Sequence, residues 1–391
     1  MTLKNDTGRK YTELKYLEFD KLYNEYVKKH NRIVTNLLNA SAEYNSSELP
    51  KAVVVHVEMY AGYGNRLPGL VCGFLYSIIT DRLFFVDGYD NFEDYYEKDF
   101  EHDWNTVTDL YKNSTSRNLH DLNDYNDFKL ITRGNLSNED EDILHVKTWD
   151  YPCAPISSNP NYEKWFTKII PDYRIFSAIS PKILRVHRNI SKQVETFANN
   201  NFNDYVIGIH LREKKSPDDM IIPVEHYSQA VKMLLLGMKN TNITIFVAAD
   251  NNYGRETLVN SLHEAFNPHS NNSIKIVHND DDMDAPNTSS GVNTGSDVGA
   301  LIDMKLLSLC DDLVITYGSS FGFTAVGWSR RSRQRGPFVV MPIKNSKDDL
   351  WVVDKVWVSG YLSNEPCMYM SKLLIDREDE ETVRVFKSNP L

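Results

Sequence analysis

The stretch Val53-Val54-Val55-His56-Val57, then Ala61-Gly62-Tyr63-Gly64-Asn65-Arg66, the nearly all-apolar Leu67 to Thr80, and Leu83-Phe84-Phe85-Val86 decides the fold. A short β-branched run bounded by polar sequence reads as a buried strand. Glycines then permit a tight turn, and an apolar segment too long for a strand reads as a buried helix. Strand, turn, helix and strand make a βαβ unit, which requires a parallel pair of strands. Upstream, Tyr11, Leu14, Leu17, Phe19, Leu22 and Tyr26 recur at helical spacing within residues 8–40, which predicts an amphipathic lead-in helix.

Downstream, Glu93 to Asp140 is acidic, aromatic and short of aliphatics, and reads as long loops with short helices. Trp149 to Pro160 is rich in Pro, Ser and Asn and reads as an interdomain crossing. Ile175 to Asn199 reads as helical. From Tyr205 onward the alternation is regular. Strands are expected at Tyr205 to Leu211, Ile243 to Ala249, Ile274 to Val277, Leu313 to Thr316 and Phe338 to Met341. Helices are expected at Val224 to Lys239, Gly254 to Ala265, Asp297 to Cys310 and Phe321 to Ser329. Such alternation gives an open parallel sheet covered by helices on both faces. The chain of 391 residues, at roughly 150 residues per domain, is therefore read as a lead-in over 1–50 and two Rossmann-like α/β domains over 51–200 and 201–391.

Lys and Arg total 43 against 54 Asp and Glu, a net charge of −11. A chain this acidic lacks the field that draws a protein to nucleic acid or an anionic membrane, so any anion it binds must be gripped locally. Three loops at expected strand ends offer that grip. Gly64, Asn65 and Arg66 put an amide and a cation at a helix start, where a cation opposes the helix dipole and calls for a reason. In Ile207-Gly208-Ile209-His210-Leu211-Arg212, side-chain alternation sends His210 and Arg212 to one face, where they suit a diphosphate or a core carboxylate. Leu313 to Thr316 leads through Tyr317-Gly318 into Ser319-Ser320-Phe321-Gly322, a helix start that reads as an anion cradle or an ordinary Ser cap. One diphosphate-bearing ligand accounts for all three.

Cys72 and Cys310 lie in apolar helical patterns and read as buried thiols. Cys153 and Cys367 sit beside prolines, a loop context open to a disulfide. No Cys/His cluster suggests zinc, and Asp280-Asp281-Asp282-Met283-Asp284, although it contains a D-x-D, reads as a solvated loop rather than a metal site. The sequence has no run of 18 apolar residues, and its first 30 residues do not read as a signal peptide. Nine Asn-x-Ser/Thr sequons lean toward a lumenal protein whose anchor is absent from this chain.

These residues resemble a known family. Gly62-Tyr63-Gly64-Asn65-Arg66-Leu67 with Gly73-Phe74-Leu75-Tyr76-Ser77-Ile78-Ile79-Thr80-Asp81-Arg82 is similar to the GLGNR…FLYALLTDR segment of xyloglucan-type fucosyltransferases. Gly208-Ile209-His210-Leu211-Arg212 resembles the H-x-R motif of α1,2-, α1,6- and protein O-fucosyltransferases. Leu306-Leu307-Ser308-Leu309 with Ser319-Ser320-Phe321-Gly322 resembles their LLSL…STFG, and Ser363-Asn364-Glu365-Pro366-Cys367 the plant group's SMEPC. The resemblance implies a GT-B fold, two Rossmann-like domains facing a cleft, and inverting transfer from GDP-fucose with no bound metal or cofactor.

It also implies roles. Arg212 would hold the β-phosphate, and Ser319, Ser320, Phe321 and Gly322 would cradle the diphosphate. His210 and Asp303 would contact guanine, with Asp250 near the nucleotide. Gly64, Asn65 and Arg66 would face the sugar. Asp218 or Asp219, in a loop that resembles that of the α1,6 enzymes, would be the general base. Plant members usually carry Gln where this chain has His210. The implied partners are GDP-fucose and a glycan acceptor in an α1,2 linkage, in the Golgi lumen, with no nucleic acid, membrane contact only through an anchor, and oligomerisation left open. The alternatives are α1,6- or protein O-fucosyl transfer, a non-catalytic carbohydrate-binding protein of the same fold, and a cytoplasmic location. The missing third glycine of G-x-G-x-x-G argues against a dinucleotide enzyme.

Overall fold

The computed structural model describes residues 2–4, 10–12, 16–39, 49–59, 61–89, 91–118, 125–146, 153–212, 220–221, 223–236, 238, 241–266, 273–279, 294–329, 336–340, 343–344, 358–360 and 365–366. The chain divides into two units, Lys15–His187 with Glu365–Leu391, and Arg188–Asn364 with Met1–Leu14. The first holds the helix Leu17–Asn39, whose Phe19, Tyr23, Tyr26, His30, Val34 and Leu37 are buried at i, i+3 and i+4 spacing. This helix forms part of a core, as Val34 and Leu37 pack on Ala52, Val54, Leu83 and Phe85. It begins later than the periodicity predicts, because Lys10–Thr12 pairs as a strand with Thr2–Lys4.

The βαβ unit is as expected: strand Ala52–His56, helix Tyr63–Thr80 and strand Leu83–Asp87, the two strands parallel. Two further parallel strands complete the sheet: Ser116–Asn118, in the segment read as loops, and Ile143–Val146, just beyond it. Numbered along the chain, this sheet runs 2-1-4-3, reversing direction between Ala52–His56 and Ile143–Val146. The expected interdomain crossing is instead part of the first unit. Cys153–Ser157 is a short helix, and Cys153 forms a disulfide with Cys72 on the buried helix. Cys72 is thus not a thiol, because a fold contact across 81 residues supplies its partner; Cys310 is a buried thiol outside the disulfide. Cys367 and the Asp280 to Asp284 run lie outside the described residues. Replacing Cys72 and Cys153 together by serine is expected to cost about 2–5 kcal/mol of stability, read as a lower urea midpoint that added reductant no longer moves.

The second unit has one six-stranded sheet. By position along the chain its strands run 3-2-1-4-5-6, the doubly wound dinucleotide-fold order. They are Ser273–Val277, Asn242–Ala249, Tyr205–Leu211, Asp312–Thr316, Phe338–Val340 and Val358–Gly360, and only the last pairs antiparallel. Isoleucines and valines of the central strands meet Tyr227, Val231 and Leu234 of helix Val224–Leu235, and Leu258 and Leu262 of helix Asn252–Ala265. Ile175 to Asn199 is two helices, Ile175–Ile183 and Arg188–Asn201, separated by the strand Arg185–Val186.

Candidate functional site

In an open α/β sheet, ligands bind beyond the carboxyl ends of the strands, where the strand order reverses. In the second unit that point lies between Tyr205–Leu211 and Asp312–Thr316. His210, Arg212 and the Ser319 to Gly322 loop all lie there.

Thr316 joins the two strand ends. Its hydroxyl donates to the His210 carbonyl (3.0 Å), accepts from the Arg212 amide (2.8 Å), and bonds the Tyr227 hydroxyl (2.6 Å). A hydroxyl with one proton and two lone pairs is thereby fully used, and Arg212 is fixed where the strand stops. The Arg212 guanidinium is partly exposed, and one of its nitrogens lies 3.2 Å from Asp250, just past the neighbouring strand Asn242–Ala249. The core-carboxylate alternative is thus realised in part. Asp250 holds the guanidinium, and a planar fork with five donors retains capacity for an anion.

His210 is buried and stacks on Phe321, ring centroids 4.9 Å apart at 24°. Its Nδ1 has no hydrogen-bond partner among the described residues, an uncommon condition for a buried polar atom and one that a ligand would relieve. Burial, reinforced by the Arg212 charge, pushes its pKa down to about 3. A neutral imidazole is suited to hydrogen-bonding a base edge, whereas a second cation is not formed here. Ser319 precedes the helix Ser320–Trp328 and makes no side-chain cap, so the first helical N–H groups are not satisfied by it. Gly318 turns the chain at φ 72°. Asp303 is buried on the helix Thr294–Ser308, which packs against Ser320–Trp328. Asp218 and Asp219 lie outside the described residues.

In the first unit, Gly62 caps the helix that contains Gly64, Asn65 and Arg66. Arg66 is buried: its Nε–H donates to the Ala61 carbonyl, and its guanidinium lies over Tyr63 (5.0 Å) and Tyr89 (6.0 Å). This answers the dipole objection, because the carbonyl and the ring faces hold the cation. Sequence reasoning missed Thr316 and Tyr227, whose roles exist only once distant segments are joined.

Neutral buried histidines set a pH dependence. His210 and His102 are pushed down to about 3 and His30 to about 4, all chiefly by burial. Their unfolded forms protonate near 6.5, so below that pH the unfolded state binds more protons and stability falls. Above it their contribution is fully present. The expected slope is roughly 1.4 kcal/mol per histidine per pH unit. His210→Gln should flatten the acid loss of the second unit in urea titrations run at several pH values.

The fold is of the GT-B type, and a family model described as xyloglucan fucosyltransferase matches residues 23–164. Among solved structures, a point mutant of Arabidopsis thaliana FUT1 in complex with GDP is similar, at 19% identity and TM-score 0.68 over 92% of this chain and 86% of that one. The fucosyltransferase NodZ from Bradyrhizobium is similar at 12% identity and TM-score 0.50, over 81% of this chain and 99% of that one. At these identities the structures speak for the fold. No curated protein matches.

Proposed function

We propose that the chain transfers fucose from GDP-fucose to a hydroxyl of a glycan, with inversion at C1 and in an α1,2 linkage, without a metal. The observation that carries this reading is the convergence, at one switch point, of Arg212, the orphaned Nδ1 of His210 and the helix start at Ser319. Such a site suits a diphosphate with an attached base. The matched family model makes xyloglucan the first acceptor to try.

As the acceptor oxygen attacks C1, negative charge grows on the departing diphosphate. Arg212 and the N–H groups of the Ser319 to Gly322 loop stabilise it there. Arg188–Asn364 is accordingly the donor domain, and the acceptor belongs to Lys15–His187. His210 and Asp303 are assigned to the guanine, Asp250 to holding Arg212, Gly64, Asn65 and Arg66 to shaping the sugar side, and Asp218 or Asp219 to the general base. Among the described residues no group of His, Cys, Asp and Glu is arranged to hold a metal ion. The Cys72–Cys153 disulfide and the sequons support an oxidising lumen such as the Golgi, and no helix among the described residues is long and apolar enough to cross a membrane.

The test is GDP release from GDP-fucose across a glycan panel that includes xyloglucan oligosaccharides, with and without EDTA, followed by linkage analysis. Metal-independent release with a new α1,2-fucosyl product is expected. Release with no glycan in the panel would overturn the reading.

A further inference from the structure

The strand Leu83–Asp87 forms an edge of the first sheet, one strand away from the switch point. Beyond its carboxyl end lies a cavity of about 360 Å³, lined by Glu93, Asp94, Lys98, His102, Asp103 and Asn105 among others. That size falls within the roughly 300–1,000 Å³ of small-ligand sites. Every lining residue belongs to the unit Lys15–His187. Asp87 does not line the cavity: it faces His56, whose Nδ1 lies 2.7 Å from its Oδ2, and His56 Nε2 lies 2.7 Å from His145 Nδ1.

His102 is the residue of this wall that calls for a reason. It is 6% exposed and packs its ring against Phe84, Phe92 and Phe100. Its Nδ1 is closed off from solvent with no hydrogen-bond partner, and neither ring nitrogen bonds to a described residue. Only Nδ1 is closed off, so Nε2 is the nitrogen open to the cavity. Burial, reinforced by the Lys98 charge, pushes the pKa down to about 3, so the ring is neutral and carries one proton. A buried N–H left without an acceptor is the rarer condition. That places the proton on Nε2 and aims an unused donor into the cavity. An orphaned polar atom in an apolar wall is a cost to the fold, and a bound acceptor would relieve the ring of part of it.

The rest of the lining sets the chemical class of the ligand. Glu93, Asp94 and Asp103 bring three carboxylates against the ammonium of Lys98, which is already held by Glu93 (2.5 Å) and Glu101 (3.2 Å). Such a wall repels a phosphate or a uronate. A cation is opposed by the Lys98 charge and by an imidazole N–H facing it. Hydroxyl groups meet both demands, because a hydroxyl accepts from the N–H and donates to a carboxylate. We propose that this cavity is a binding site for a neutral saccharide, held by the Nε2–H of His102 and by the carboxylates of Glu93, Asp94 and Asp103. The site takes glycan without nucleotide and without any residue of Arg188–Asn364, so it stands apart from the transfer reaction.

The experiment titrates a xyloglucan oligosaccharide, cellobiose and lactose into the full chain by calorimetry, with no nucleotide present. At least one of the three is expected to bind, and an oligogalacturonide, whose sugars are acidic, roughly tenfold more weakly. His102→Phe keeps the ring packing and removes the N–H. It is expected to weaken saccharide binding about tenfold while Tm stays level or rises, because the orphaned nitrogen is gone. A merely structural histidine would instead lose Tm and keep the affinity, which overturns the proposal. Asn105→Trp alters an exposed residue of the lining and is expected to abolish binding at an unchanged Tm. It carries the test if His102→Phe loses stability or does not fold. Wild-type affinity in Asn105→Trp, equal affinity for the oligogalacturonide, or no binding of any of the three neutral sugars overturns the proposal. The transfer reading is judged separately, by GDP release, and its failure would leave these titrations unchanged.

Discussion

Replacing Arg212 by alanine is expected to lower kcat for fucosyl transfer by roughly 10²–10³-fold, the usual effect of removing one preorganised donor from a developing oxyanion. Affinity for GDP should fall too, since the same guanidinium would hold the diphosphate in the ground state. Arg212→Lys keeps the charge but loses the planar fork, so it should recover only part of the loss. The contact with Asp250 separates a catalytic effect from a structural one. Asp250→Asn leaves Arg212 in place and removes the charge that orients it, so a smaller fall in kcat is expected with the fold intact. The arginine backbone is tied independently, through Thr316, so the strand end should survive either change. Steady-state kinetics with calorimetric GDP binding check the series. Equal kcat in the wild type and Arg212→Ala would remove Arg212 from the site.

Five of the six strands of the second sheet were readable; Val358–Gly360, the antiparallel edge strand, was not. The readable strands are apolar and mostly separated by helices with clear turn residues; Tyr205–Leu211 matches the expected bounds, and Asp312–Thr316 differs by one residue. Half of the first sheet was not readable. Ser116–Asn118 is a three-residue polar edge strand, and Ile143–Val146 follows an acidic run, so neither carries a signal of its own. Both exist because a neighbouring strand pairs with them, which is a property of the fold.

The site divides in the same way. His210, Arg212 and the Ser319 loop announce themselves by charge and by glycine and serine at strand ends. Thr316 looks like any strand threonine, yet it ties together segments more than 100 residues apart. Cys72 misleads for a similar reason: it sits in an apolar helical pattern, and only folding brings Cys153 to it. His56, Asp87 and His145 are ordinary strand residues in one dimension and a connected chain in three.

Gly322→Val is the other substitution with a large expected effect. A Cβ at this position would sit 2.9 Å from Ile315 Cβ, 3.0 Å from Ile315 Cγ2 and 3.2 Å from His210 Nδ1. Ile315 is β-branched, fully buried and paired with its neighbours in the sheet, so it cannot give way. The remaining accommodation is for the start of helix Ser320–Trp328 to lift, which breaks the His210–Phe321 stack and moves the N–H groups assigned to the diphosphate. Overpacking of this kind costs about 1–3 kcal/mol, and a donor loop displaced by an ångström can lose roughly 100-fold in rate. Both a lower Tm and a greater loss of GDP binding than of stability are therefore expected. Gly318→Ala supplies the contrast. Nothing lies within 4 Å of its added Cβ, and only its φ of 72° resists the change. It should cost about 1–2 kcal/mol of backbone strain and leave most of the GDP affinity in place. If Gly322→Val binds GDP as the wild type does, the loop after Asp312–Thr316 does not hold the nucleotide.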